Sequence, residues 1–153
     1  MIEYIYTNQG RHVDTNTVML SDVNGKKVSF HSYVTDHIIY VYFTPLACWD
    51  CIKAVCGTAL NCDNGDKLHF IIPDQLRDAA GKILSDAGIP TDRRYYLHGS
   101  LGLPVEGDNK VFFFTLSRDD CSSGDVAIND VFVPGTYSGA VETYMDVLNV
   151  RFQ

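Results

Sequence analysis

The sequence is short of basic residues: 12 lysines and arginines stand against 19 aspartates and glutamates, for a formal net charge of −7. Nucleic-acid and anionic-membrane surfaces need cations to neutralise phosphates, and without a dense Lys/Arg cluster neither partner is expected. Long apolar runs are missing too. The longest, Ile38 to Phe43, is far below the roughly 20 residues that span a bilayer, so no membrane span is expected. The opening segment, Met1 to Gly10, lacks the basic n-region and apolar h-region of a secretory signal. The expectation is a soluble protein that is cytoplasmic, unless a leader was trimmed. Five cysteines are too few for a disulfide scaffold in 153 residues, and an odd count leaves at least one thiol unpaired in a monomer. Internal repeats, low-complexity segments and linkers are absent. With 46% hydrophobic and 20% charged residues, residues 1–153 read as one compact domain with a sizeable core.

What the chain does have is an ordered series of short apolar segments. Asn24-Gly25 lies between two alternating stretches in Val18 to Phe30, which predicts a leading hairpin with a two-residue turn. Ile38 to Phe43 is a continuous β-branched and aromatic run, the pattern of a central strand covered on both faces. After Thr44-Pro45 the period changes. Ile52, Val55, Cys56, Ala59 and Leu60 follow the spacing of one helical face, in a helix beginning close to Cys48. Leu68 to Ile72 predicts a second buried strand ended by Pro73, with Asp74 as N-cap of the next helix. That helix has Leu76, Ala79, Ala80, Ile83, Leu84 and Ala87 on one face and closes at Gly88. Strands are predicted over Arg93–Leu97, Val111–Leu116 and Val126–Val133. A last helix carries the stripe Val141, Tyr144, Met145, Val147 and Leu148, with Ser138 as its N-cap. The order hairpin, β, α, β, α, β, β, β, α predicts an α/β fold with a mixed central sheet and helices on both faces.

The chemical signal is the clustering of Cys48, Cys51, Cys56 and Cys62. A cysteine where a buried strand gives way to a helix sits on free backbone N–H groups and the positive helix end, and both stabilise its thiolate. A second cysteine three residues on lies within reach of the first sulfur. It can attack a mixed disulfide formed there and release the partner. Strand, turn, C-x-x-C and amphipathic helix together are far more specific than C-x-x-C alone.

In these residues the chain resembles the thioredoxin superfamily, and within it the redoxin-like bacterial thiol-disulfide oxidoreductases. The resemblance rests on the hairpin at Asn24-Gly25-Lys26, the strand Ile39 to Thr44, Cys48-Trp49-Asp50-Cys51, the strand Leu68 to Ile72 and the phenylalanine-rich strand. It implies a thioredoxin-like three-layer α/β/α fold with an N-terminal hairpin extension. Cys48 would be the exposed nucleophile and Cys51 the buried resolving thiol. Trp49, Asp50, Pro45, Lys110, Val111 and Pro104 would shape the site. No cofactor or metal is implied, and the partners would be protein thiols or disulfides and an upstream redox donor, met by a monomer. A periplasmic or cell-envelope location follows from the resemblance if a leader was removed.

Two departures from the family pattern matter. Its cis-proline before the penultimate strand is matched either by Pro104 across a longer loop or by the non-proline positions Lys110 and Val111, the second being favoured. Its buried carboxylate on the strand before the motif falls at Tyr42, and no acidic residue lies between His37 and Asp50. Proton transfer to Cys51 would then fall to Asp50, a nearby histidine or water. Asp50 beside Cys48 opposes the helix end and raises the thiol's pKa, which implies a reductant-like potential.

Other readings compete. Cys48, Cys51, Cys56 and Cys62 number enough to bind zinc, but Cys56 falls on the apolar stripe and reads as a core residue. Cys62 and Cys121 read as exposed surface thiols. His69, inside a strand, reads as a packed residue, and His98 lies nearer the site edge. A peroxiredoxin-like peroxidase shares the layout, but Thr44 and Pro45 stand at the wrong spacing before Cys48. A non-catalytic binding module is the remaining alternative.

Overall fold

The computed structural model describes residues 11–14, 18–28, 37–44, 49–108, 110–118, 125–134 and 139–151, with Arg11, His12, Asp14, Cys51, Pro104, Asp108, Arg118, Asp125 and Arg151 described by backbone alone. Among the described residues eight strands form one mixed sheet in the order β1-β8-β7-β4-β5-β6-β2-β3. They are β1 (Arg11–Asp14), β2 (Met19–Ser21), β3 (Lys27–Val28), β4 (Ile39–Tyr42), β5 (Leu68–Pro73), β6 (Arg94–His98), β7 (Phe112–Arg118) and β8 (Asp125–Phe132). Among the described residues the α-helices are α1 (Trp49–Leu60), α2 (Arg77–Asp86) and α3 (Gly139–Arg151).

β4 lies at the centre because its apolar run lets both faces be covered. Ile39, Val41 and Phe43 point to the helices, while Tyr40 and Tyr42 point to the other side. It pairs in parallel with β5 and antiparallel with β7. Against β7 the rings face one another in register: Tyr40 stacks on Phe114 at 5.3 Å and Tyr42 on Phe112 at 5.0 Å. Such cross-strand aromatic pairs lock the register, since a one-residue slip would turn every ring to the wrong face.

The layers follow from handedness. The connections β4-α1-β5 and β5-α2-β6 both step across the sheet in one direction, and right-handed crossovers then place both helices on the same face. Ile52, Cys56 and Ala59 of α1, Ala80 and Leu84 of α2, and Val141, Met145 and Leu148 of α3 form one core cluster there. On the opposite face the cover is Leu101, Leu103 and Val105, carried into place by the 3-10 helix Pro104–Asp108. The expected helices on both faces are thus α-helices on one side and, among the described residues, a 3-10 helix on the other.

Several local expectations change. The hairpin at Asn24-Gly25 is β2–β3, but its connection is Asp22–Lys26 rather than a two-residue turn. Asp22 Oδ1 accepts from the N–H groups of Asn24 and Lys26 at 2.9 Å each, so the side chain shapes the longer loop, and Gly25 takes a φ of 81°. Asp74 does not cap α2. It opens a 3-10 turn and its carboxylate holds Arg77 at 3.0 Å and His98 at 3.6 Å. Arg77 also donates to Ser21 Oγ at 3.2 Å and lies 3.8 Å above the Tyr96 ring, tying the hairpin to α2. The α2 end is as predicted: Gly88, at φ 79°, donates to Ser85 O, and Ile89 to Leu84 O. Val147 is 56% exposed and lies off the α3 core stripe. Ser138 lies outside the described residues. β1 was not foreseen, because Arg-His-Val-Asp carries no apolar alternation long enough to signal a strand.

Candidate functional site

The end of β4 leads directly to the C-x-x-C segment. Thr44, fully buried, donates from Oγ1 to the carbonyl of Lys110 at 3.0 Å. This bond ties the residue preceding the cysteine segment to the residues that lead into β7. Helix α1 begins at Trp49, so Cys51 stands in its first turn and Cys48 immediately precedes it in sequence. Trp49 is half-buried against the helix-side core and Asp50 is exposed. Cys48 and Pro45 lie outside the described residues. Lys110 is exposed and Val111 buried. Pro104 heads the 3-10 helix, and no cis peptide bond occurs among the described residues. Of the two candidate positions for the proline, the one hydrogen-bonded to the end of β4 is Lys110.

A carboxylate does reach β4, although none is encoded on it. Tyr42 donates its hydroxyl to Glu106 Oε2 at 2.9 Å, and Glu106 also accepts from Leu101 N–H at 3.1 Å and Leu103 N–H at 2.7 Å. Burial, and then the Glu106 charge, push the Tyr42 hydroxyl far above the usual tyrosine range, so it stays a donor at every working pH. No local pattern signals this pair, since 64 residues separate its members.

The remaining thiols divide by environment. Cys56 is 2% exposed within the core, and burial pushes its thiol up to about 12. It is committed to packing, as its place on the helical stripe predicted, and is a poor nucleophile and metal ligand. Cys62 is not an exposed surface thiol: it is half-buried, and its Sγ donates to Thr58 O at 3.4 Å. Burial, then Asp146, Glu142 and Asp63, raise its pKa. Cys121 lies outside the described residues.

His98 ends β6, two strands across from β4, where its Nε2 is 3.3 Å from Ser21 Oγ. His69 is packed as expected, its ring stacked on Tyr95 and its Nδ1 2.9 Å from the Tyr95 hydroxyl. Burial, and then Arg93, lower its pKa from 6.5 to about 4, against an opposing effect of Asp92. Below 6.5 the unfolded chain binds this proton more readily than the folded one. The His69 contribution is therefore whole above about pH 6.5 and is lost as pH falls towards 4. Urea unfolding across that window is expected to show a steeper loss of stability in the wild type than in His69→Gln. Parallel profiles would contradict it.

No protein-family model and no curated protein matches the chain. Among solved structures, a protein of Aquifex aeolicus VF5 for which electron transfer has been proposed superposes with a TM-score of 0.52 at 12% identity, covering 93% of this chain and 95% of that one. The soluble domain of Sco1 from Bacillus subtilis gives 0.47 at 12% identity, covering 95% and 96%. A yeast mitochondrial 1-Cys peroxiredoxin gives 0.43 at 14% identity, covering 99% and 78%.

Proposed function

With a thioredoxin-like α/β fold as premise, we propose that the protein is a thiol-disulfide oxidoreductase exchanging a Cys48/Cys51 dithiol for a disulfide on a partner protein. The observation that carries this reading is the junction itself. A fully buried central strand ends at Tyr42, an amphipathic helix starts at Trp49, and the segment between them carries Cys48. The first N–H groups of α1 lack partners within the helix and favour negative charge beside them. The Thr44–Lys110 bond supports the reading by tying the residues before β7 to the end of β4.

The reaction balances with the two thiols alone. The Cys48 thiolate attacks one sulfur of the partner disulfide; that S–S bond breaks and the departing thiolate takes a proton. The Cys51 thiolate then attacks Cys48 Sγ and expels the second partner sulfur. Two electrons pass to the partner and Cys48–Cys51 is left as a disulfide, to be reduced by an upstream dithiol. Run backwards, the same steps oxidise a partner.

The test is mixed-disulfide trapping. A Cys51→Ser variant retains the first step and lacks the second, so it is expected to accumulate covalent, dithiothreitol-sensitive adducts through Cys48. Absence of adducts, with stoichiometric metal bound to the wild type, would overturn the proposal.

A further inference from the structure

The sequence holds two Asn-Gly steps, Asn24-Gly25 and Asn64-Gly65. At such a step a chain can attack its own side chain, because glycine has no Cβ to keep its backbone nitrogen from the preceding carboxamide. By sequence the two are equivalent. The fold makes them opposites.

Asn24 and Gly25 lie exposed in the loop between β2 and β3, followed by exposed Lys26 and Lys27. The backbone N–H of Asn24 is held by Asp22 Oδ1 at 2.9 Å, but among the described residues the Asn24 carboxamide has no hydrogen-bond partner. The Gly25 nitrogen donates to Asp22 O at 3.1 Å, and a side chain built at Gly25 would meet nothing within 4 Å. Once that exposed bond opens, both reacting groups are free to approach. Asn64, in contrast, is 4% exposed, and its Nδ2 donates to Met145 O of α3 at 3.0 Å. Gly65 is pinned as well. Its N–H donates to Cys62 O at 3.0 Å, its carbonyl accepts from Arg93 at 3.1 Å, and an added Cβ would collide with the Leu60 carbonyl. Bringing the two groups together there means breaking these bonds and stranding a buried amide.

We propose that Asn24 is a self-modification site: in the folded chain it converts to aspartate and isoaspartate, while Asn64 is spared. The Gly25 nitrogen, its proton lost to hydroxide, forms a bond to Cγ of Asn24; the Cγ–Nδ2 bond breaks and the amide nitrogen leaves as ammonia. Water then opens the succinimide and returns a proton to the Gly25 nitrogen. Breaking the new bond to Cγ leaves aspartate, and breaking the original peptide bond leaves isoaspartate, with the chain rerouted through the side chain. No electrons are exchanged, and water is the one co-reactant. Either product disturbs the loop. A carboxylate at position 24 adds charge beside Asp22, whose own carboxylate accepts from the N–H groups of Asn24 and Lys26, and like charges repel. Isoaspartate also lengthens the chain between those two N–H groups. β3 meets β2 at Leu20–Val28 and Ser21–Lys27 alone, so modification is expected to loosen this edge.

The test is to incubate the native chain at mildly alkaline pH and map it by tandem mass spectrometry, with isoaspartate detected by enzymatic methyl transfer. Asn24 is expected to convert at least about tenfold faster than Asn64, given the protection a buried, bonded segment confers. In concentrated urea the two rates are expected to converge. Asn24→Gln is expected to remove most of the methyl-accepting signal of the native chain. Equal native rates, faster loss at Asn64, or conversion of Asn24 in urea alone would each overturn the site. The aged form, separated by anion exchange on its added charge, is expected to show faster amide exchange at Lys26. Unchanged exchange there would overturn the loosening of the loop.

Discussion

Cys48→Ser is expected to bring insulin-disulfide reduction to the uncatalysed rate, a loss on the order of a hundredfold or more, as removal of an essential nucleophile does. A serine hydroxyl is not ionised at neutral pH and does not attack a disulfide, so the first bond cannot form. No other described thiol stands in for it. Cys56 is sealed in the core with its thiol pushed up to about 12, and the Cys62 thiol is also raised, by burial and by acidic neighbours. Cys51→Ser is expected to lose turnover as well, but by stalling as the mixed disulfide, so mass spectrometry separates the two variants. Retention of half the wild-type rate by Cys48→Ser would refute its assignment as nucleophile. Peroxide consumption that survives Cys51→Ser would point to a peroxidase.

Glu106→Ala is expected to cost about 3 kcal/mol, because it strips an acceptor from several donors at once. The buried Tyr42 hydroxyl and the N–H groups of Leu101 and Leu103 all converge on this carboxylate. At this chain length the loss corresponds to about 10 °C in thermal midpoint. Glu106→Gln is expected to fall between, since one amide atom still accepts while the other turns a donor towards a donor. In a Tyr42→Phe background the Glu106→Ala cost is expected to shrink, because one stranded donor is already gone. Urea unfolding of the four variants reads this directly, and a Glu106→Ala cost under about 0.5 kcal/mol, the range of ordinary surface changes, would disprove the anchoring role. The consequence reaches the site. The 3-10 helix Pro104–Asp108 is followed closely by Lys110, whose carbonyl holds Thr44 just before the cysteine segment.

The main elements were legible in the sequence where one period dominated. Ile38 to Phe43 could only be a strand buried on both sides, and Ile52, Cys56 and Ala59 could only line the inner face of a helix; all three are at most 2% exposed. Such patterns are local, so they survive without knowledge of the rest of the chain. Asp74 misled for the opposite reason. Its position before a helix suits a cap, but Arg77 and His98 offered it side-chain partners that only the folded sheet assembles. Val147 misled because a stripe of apolar residues can be wider than the face that packs. Asp22–Lys26 became a longer loop because an aspartate able to accept two backbone N–H groups competes with the tighter turn.

The candidate site divides in the same way. Cys48 and Cys51, with Trp49 and Asp50 between them, are a contiguous motif, and its chemistry depends on a strand-to-helix change that apolar periodicity announces. Lys110 could be proposed by counting back from the phenylalanine-rich strand. Its tie to Thr44 could not, nor could the Tyr42–Glu106 pair. Sequence alone therefore determined the order of the elements after β1, the central strand and the cysteine pair, because each is written within a few consecutive residues. Only the tertiary structure decided which face the helices share and which carboxylate serves Tyr42. Those depend on the handedness of crossovers and on contacts between residues many positions apart, which no local period records.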